Sequence, residues 1–416
     1  MPERIVILGG GFAGSAIARA LRRQPLDITV IDQHNYYLFQ PLLYQVATGE
    51  LLAEAIATPQ RRMLHGHGLR FRMGQAVAID LSSRSILLAD GDRVEFDVLF
   101  IALGTVTNFF GNEAIARHAL QIKGIEAAEE ARSRIFSALE AASHCRDGEQ
   151  RRQWLHFVIA GGGAAGVELC GALLELLRDI LPREYPELRA DEIQVTLVHG
   201  DAVLLPGFAV SLQAYAARAL RQMGAQLRIR THVTDYDGQT VQCDPGPPIP
   251  ARTLFWTAGV TTSPLAATLP GVKGRGGRIV VDPYLRLPGH PEVFVLGDIA
   301  CSDRGAPWPQ VAPFALQTAR YAAKVLQCRR LDQPFPAPFS YHDPGSMVVL
   351  GRFDGVCQID RLRLRCRGGF AWILWLSLHL YRIIGTRNRL RALLDWSGDY
   401  LRRNTAVQLV RDRFWR

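Results

Sequence analysis

Two glycine-rich turns carry the most specific chemistry in this sequence of 416 residues. The first, Gly9-Gly10-Gly11-Phe12-Ala13-Gly14, follows the apolar run Ile5-Val6-Ile7-Leu8 and precedes a helix-like segment, Ala13 to Arg22. In this GxGxxG spacing Gly9 permits the tight turn, Gly11 lets the backbone approach a pyrophosphate, and Gly14 lets helix and strand pack closely. The helix N-terminus adds free N–H groups and the positive end of its dipole. Asp32 ends the next strand-like run, 18 residues after Gly14, where a carboxylate accepts hydrogen bonds from an adenosine ribose.

The pattern restarts after His156. Phe157-Val158-Ile159-Ala160 reads as a strand, and Gly161-Gly162-Gly163-Ala164-Ala165-Gly166 as a second turn of the same kind. Val167 to Asp179 reads as its helix, and Ile193 to Val198 as the next strand. Gly161, Gly163 and Gly166 therefore point to a second dinucleotide. The acidic position at the strand end holds His199, with Asp201 two residues on as a possible substitute. A third signal is Val293-Phe294-Val295-Leu296-Gly297-Asp298, a strand ending in Gly-Asp. Such an ending can aim a carboxylate and a helix N-terminus at a ligand, or simply cap a turn.

The elements that must position these groups follow from the same periodicities. Further strands are expected near 71–76, 85–88, 98–102 and 279–281, and a long helix over 125–143. Two strand–turn–helix–strand units in one chain define an α/β fold with two Rossmann-like domains. Pro- and Gly-rich connections fall at 244–250, 269–277 and 334–338.

Composition narrows the class. With 48% hydrophobic and 21% charged residues the chain is an ordinary globular one. No run of 18 apolar residues is present, so no spanning helix is expected. The chain starts straight into a strand-like run, so no signal peptide is expected either. The seven cysteines lie singly, which argues against a zinc site, a disulfide framework or a dithiol redox centre, and suits a reducing cytosol. The net charge of +9 is concentrated: residues 361–416 hold thirteen Arg and three Asp, about +10, leaving the rest near −1. Such a basic tail suits an anionic membrane surface or nucleic acid; no nucleic-acid partner is expected.

Several further segments carry a resemblance: Phe39-Gln40-Pro41-Leu42-Leu43-Tyr44, Gly166-Val167-Glu168-Leu169, Trp256-Thr257-Ala258-Gly259, Tyr341-His342-Asp343-Pro344-Gly345-Ser346-Met347 and Ala371-Trp372-Ile373-Leu374-Trp375. Together with both glycine turns and Gly297-Asp298, they resemble the two-dinucleotide flavoproteins, whose FAD domain is split by an inserted NAD(P)H domain. More closely, they resemble the type II NADH dehydrogenases, single-subunit NADH:quinone oxidoreductases. The resemblance spans nearly the whole chain. It implies an FAD domain in two parts, 1–118 and 266–340, an NAD(P)H domain over 119–265, and a C-terminal membrane-anchoring or dimerisation region over 341–416.

In that arrangement Gly9, Gly11, Gly14, Asp32, Gly104, Gly297 and Asp298 are expected to hold FAD. Gly161, Gly163, Gly166, His199 and Gly259 are expected to hold NADH, with NADPH tolerated. Glu168 is expected near the nicotinamide, or else is a helix-N-terminal carboxylate stabilised by the dipole. Gln317 is a candidate quinone contact, or else a surface amide. Two departures stand out: His199 where the family usually has Glu, and Pro313 where many members have a first Gln. The implied reaction is hydride transfer to FAD and two-electron reduction of a membrane quinone, without proton pumping. Alternatives are a sulfide:quinone oxidoreductase using Cys170 and Cys357, and a flavin-binding sensor.

The tail completes the expectation. Phe370 to Leu378 is apolar on every face but too short to span. Leu390, Leu393, Leu394 and Leu401 recur at helical spacing beside Arg387, Arg391 and Arg402, in a helix expected to run to Arg403. Trp372, Trp375, Trp396 and Trp415 are four of the seven Trp. Tryptophan favours membrane interfaces, so an interfacial helix pair on the cytoplasmic face of the cell membrane is expected. The Leu stripe could instead pack on the body or on a second subunit of a homodimer. Truncation after about Pro338 is expected to give a more soluble protein.

Overall fold

Arg4–Leu8, Val98–Ile101, His156–Ala160 and Thr253–Trp256 are short, nearly continuous apolar runs. Strands with that composition are stable where both faces are covered, as in parallel sheets flanked by helices. The computed structural model, which describes residues 2–66, 68–303, 308–402 and 409–410, places them at the centres of two such sheets. Trp415 and Arg403, and the side chains of Leu401 and Arg402, lie outside the described residues.

The chain forms two units. The first comprises Met1–Leu38, Ala57–Val106 and Val260–Asp343. Its sheet runs, in spatial order, Arg286–Leu287, His290–Val295, Val98–Ile101, Arg4–Leu8, Asp27–Asp32 and Leu69–Met73. All neighbours are parallel except the first pair, which is a hairpin. Leu8 stands opposite both Ile31 and Ile101, so the first glycine turn leaves the sheet at its centre. The helices Phe12–Leu21 and Ala312–Arg330 pack against each other, and their buried alanines belong to the same core as the sheet.

The second unit comprises Phe39–Ile56, Thr107–Gly259 and Pro344–Arg416. Its sheet is wholly parallel, in the order Leu120–Gln121, Thr253–Trp256, His156–Ala160, Gln194–His199 and Gln226–Ile229. The helix Ala164–Glu184 leaves this sheet from the second glycine turn. An antiparallel meander, Ser346–Gly351, Asp354–Ile359 and Leu364–Arg367, packs its first strand on that helix. The approach is close: a Cβ on Gly171 would run into the Leu350 carbonyl oxygen.

The units divide at 106, 259 and 343, where sequence reading put boundaries at 118, 265 and 340. Two segments sit where the sequence did not place them. Residues 39–56 join the second unit, and the C-terminal region is built into that unit rather than appended to it. The truncation after about Pro338 would therefore remove the sheet that covers Ala164–Glu184, and is not a test of solubility alone.

Candidate functional site

In the first unit the glycine turn is closed by its neighbours. Gly9 donates its N–H to the Ile31 carbonyl at 2.8 Å, and Gly10 donates to Asp32 Oδ2 at 2.5 Å. The second carboxylate oxygen of Asp32 accepts the His34 N–H at 2.7 Å. The Gly10 carbonyl accepts from Ser15 Oγ at 2.6 Å and from Gln60 Nε2 at 2.7 Å. Gly9 has φ +102°, and a side chain on Gly14 would meet the Gly9 carbonyl oxygen. Gly11 is different: a Cβ there meets nothing within 4 Å, although Gly11 is the N-cap of the helix. Open space in front of a helix N-terminus fits a pyrophosphate.

Gly297 lies against this same helix start, since a Cβ on it would press on Ala13 Cβ at 3.4 Å and Ala315 Cβ at 3.3 Å. Its N–H is held by Thr318 Oγ1 at 3.1 Å, and the Asp298 carbonyl accepts from Gln310 Nε2 at 3.2 Å. Gly104, at φ +65°, also faces open space.

The second unit repeats the device with one exchange. Gly161 donates to the Val198 carbonyl at 2.8 Å, and Gly163 opens on empty space as Gly11 does. Gly166 packs against Gly161, and both lie on Thr257. The Gly162 N–H, however, goes to Nδ1 of His199 at 3.1 Å. A backbone N–H can only donate, so Nδ1 carries the lone pair and Nε2 the proton. Burial also lowers the His199 pKa. Nε2 sits 3.5 Å from Asp201 Oδ2 without a hydrogen bond of its own. The ring therefore serves the turn as a neutral acceptor. Gly259 lies beneath the exposed Phe110 ring, and its carbonyl accepts from the Asn108 N–H at 3.1 Å.

Glu168 lines the wall of a small cavity. The residue is half-buried, and burial pushes its pKa up to about 8. The Val349 N–H at 3.5 Å and the indole N–H of Trp375 oppose that shift without cancelling it. A dipole-stabilised surface carboxylate would shift the other way. The small cavity beside it is lined by Tyr44, Gln45, Glu50, Glu175 and Arg352. Arg352 neutralises the acidic stripe farther along the helix, through its N–H to Glu175 Oε1 and its guanidinium to Asp179 Oδ2, both at 2.6 Å. Sequence reading missed this set. Its one visible signal was Glu168, Glu175 and Asp179 recurring on one helical face.

Gln317 belongs to the first unit, where both ends of its amide are engaged. Nε2 donates to the His342 carbonyl at 2.7 Å and Oε1 accepts the His342 N–H at 3.0 Å. It clasps the Tyr341-His342-Asp343 segment and keeps one N–H and one lone pair for anything else.

The tail tryptophans are corrected as well. Trp375 is 1% exposed and stacks on His379 with ring centroids 4.1 Å apart. Trp396 is buried and donates to Gln45 Oε1 at 3.1 Å, and Trp372 is buried too. The exposed apolar groups are instead Phe370 (57%), Ile373, Tyr381 (73%), Leu390 and Leu394 (71%). The Trp396 indole, with an acceptor inside the unit, gains more by burial than at an interface. No described helix is long and apolar enough to cross a membrane. The Cys170 thiol is buried and pushed up to about 12, whereas Cys357 stands directly across a strand pairing from Cys366. The cysteines, scattered in sequence, thus include a pair in space.

Two sheets that each open a glycine turn onto a helix N-terminus define a protein that binds two dinucleotides. The family model for pyridine nucleotide-disulphide oxidoreductases matches residues 3–320. The type II NADH:quinone oxidoreductase NdhA of Mycobacterium tuberculosis is 37% identical, over 96% of this chain and 88% of the relative. The type II NADH:quinone oxidoreductase Ndh of the same organism is 36% identical over the same shares. Among solved structures, NDH2 from Plasmodium falciparum in complex with NADH gives a TM-score of 0.90 at 18% identity, covering 98% of this chain and 100% of that one. The sulfide:quinone oxidoreductase of Aquifex aeolicus gives 0.76 at 17%, covering 96% and 93%; at such identities the likeness is one of fold. The chain belongs to the pyridine nucleotide-disulphide oxidoreductase family and, within it, to the type II NADH:quinone oxidoreductases.

Proposed function

We propose that this protein is an FAD-dependent NADH:quinone oxidoreductase that takes electrons from NADH and delivers them to a membrane quinone without pumping protons. The observation that carries this reading is the pair of open glycine turns, with Gly11 and Gly163 each facing empty space at a long helix's N-terminus. FAD belongs in the first unit, with Gly9, Gly11, Gly14, Asp32, Gly104, Gly297 and Asp298 around its pyrophosphate and sugar. The nicotinamide nucleotide belongs in the second, at Gly161, Gly163, Gly166 and Gly259 with His199 behind the turn. When bound, the flavin supplies the chemistry of accepting a hydride and releasing electrons.

Reduction of a quinone to a quinol also consumes two protons. Burial favours the protonated form of Glu168, and the cavity sets Glu50 and Glu175 beside it. Gln317 orders the segment around His342. The buried Cys170 thiol, held as the neutral form, speaks against sulfide chemistry at that residue. The exposed apolar row on Gly369–Arg382 and Thr386–Arg402, with its arginines, suits a peripheral seat on the anionic cytoplasmic face of the cell membrane. A homodimer is compatible with the same surface.

The test is anaerobic mixing of the FAD-loaded protein with NADH while flavin absorbance is followed, then addition of a short-chain quinone. Bleaching by NADH and recovery with quinone are expected. A flavin that NADH fails to bleach, or that quinone fails to reoxidise, sinks the reading.

A further inference from the structure

Cys357 and Cys366 lie nine residues apart in the chain on either side of a tight turn, in the strands Asp354–Ile359 and Leu364–Arg367. The register sets Val356 opposite Arg367, Cys357 opposite Cys366 and Gln358 opposite Arg365, and the Gly368 N–H to Gly355 carbonyl bond at 2.9 Å continues the ladder. Directly opposed residues of an antiparallel pair project to the same face, with Cβ atoms about 4.5–5.5 Å apart. Their Cα separation, roughly 5.5 Å or less, falls inside the range a disulfide spans. The two thiols are near enough to influence each other's ionisation. Cys357 is fully buried, while Cys366 is partly exposed.

We propose that Cys357 and Cys366 form an oxidisable dithiol, a modification site for two-electron oxidants of the peroxide class. Cys366, the accessible member, attacks the peroxide as its thiolate. The O–O bond breaks, and Cys366 becomes a sulfenic acid with release of water. The Cys357 thiol then attacks that sulfur; the Sγ–Sγ bond forms and a second water leaves. Two thiols and one hydrogen peroxide thus give one disulfide and two waters, and an external dithiol reverses the change. The bond would tie the third strand of the meander to the second. This assignment does not depend on the quinone reading.

The experiment treats the full-length, FAD-loaded protein with hydrogen peroxide, alkylates free thiols, and digests it unreduced with trypsin. Cleavage after the surrounding arginines isolates the peptide Phe353–Arg361 and the dipeptide Cys366–Arg367. Mass spectrometry should find these joined, lighter than their sum by two hydrogens, and separated again by dithiothreitol. Two of the seven thiols should be lost per chain. Cys366→Ser should leave Cys357 a free thiol. Cys357→Ala should stop Cys366 at a sulfenic acid that dimedone traps. Wild-type protein in which Cys366 proceeds to sulfinic acid while Cys357 stays free, or in which neither reacts, overturns the proposal.

Discussion

Gly162 gives its backbone N–H to Nδ1 of His199 at 3.1 Å, the place where, in the first unit, Gly10 gives its own to the Asp32 carboxylate at 2.5 Å. The strand-end residue closes the glycine turn, and in the proposed function it also faces the nucleotide ribose. His199 performs the first duty with a neutral nitrogen acceptor, at a longer distance than the carboxylate. For the second it brings neither a negative charge that repels a 2′-phosphate nor an acceptor, since its lone pair is already used.

Nucleotide selectivity should accordingly be weak. Wild type is expected to use NADPH nearly as well as NADH, and His199→Glu to raise the NADH:NADPH ratio of kcat/KM about ten- to a hundred-fold. That is the effect of one charge-assisted hydrogen bond worth about 1.5–3 kcal/mol. Because burial lowers the His199 pKa, the wild-type ratio should stay flat from pH 8 down to about 6.5. A rise in NADPH use over that range would mean that the ring is charging and that Nδ1 is not the acceptor. Asp201→Asn should change the ratio little unless Asp201 reads the ribose.

The two glycines of the first turn should separate binding from folding. A Cβ at Gly11 meets no protein atom, so Gly11→Val should yield a folded protein that purifies without flavin. Gly14→Val forces a side chain into the Gly9 carbonyl and should instead yield insoluble protein. Flavin absorbance per chain, beside far-UV circular dichroism, measures both. A yellow Gly11→Val protein would place the pyrophosphate elsewhere.

Glu168 makes a prediction in pH. Its carboxyl titrates near 4.5 when exposed and near 8 in the fold. Between those values the folded state holds a proton that the unfolded state has lost. Stability therefore falls as pH climbs from about 4.5 to about 8 and is level above that. Glu168→Gln removes the slope, so its gain in melting temperature over wild type should be larger at pH 9 than at pH 5. Quinone reduction should slow about 10²-fold in the variant, as for loss of a general acid, and lose the wild-type decline through pH 8. Bleaching by NADH should be unaffected. An unchanged pH profile in the variant would remove Glu168 from the reaction.

Membrane attachment should follow the exposed residues and not the tryptophans. Leu390→Asp with Leu394→Asp is expected to release the protein from vesicles containing anionic lipid. High salt should release it only in part, because apolar insertion is not screened. Trp375→Ala should lower stability by about 3–5 kcal/mol and leave vesicle binding of the folded fraction unchanged. Retention of the double Leu variant on vesicles would relocate the contact.

What the sequence revealed was what local rules control. Gly9, Gly14, Gly161 and Gly166 announce their turns because close backbone approach there admits no side chain, and the apolar strands announce their sheets by composition. What it concealed depended on partners far along the chain. Trp396 looked interfacial until Gln45 proved to be its acceptor. Cys357 and Cys366 looked solitary because the hairpin register, not their spacing, brings them together. His199 looked like a missing ribose ligand, and only the Gly162 N–H gave it a purpose of its own.

The bare flank of Gly171 has a consequence for how such chains can be altered. Because the Leu350 carbonyl occupies the place of a side chain there, the C-terminal meander and the helix Ala164–Glu184 are fitted to each other at a single atom's depth. A tail transplanted from a relative would seat on this body only if its host kept a glycine at that point. In a host with alanine the graft must lift off the helix, carrying with it the Val349 N–H that faces Glu168. Gly171 is the residue at which the fit between the two segments can be broken.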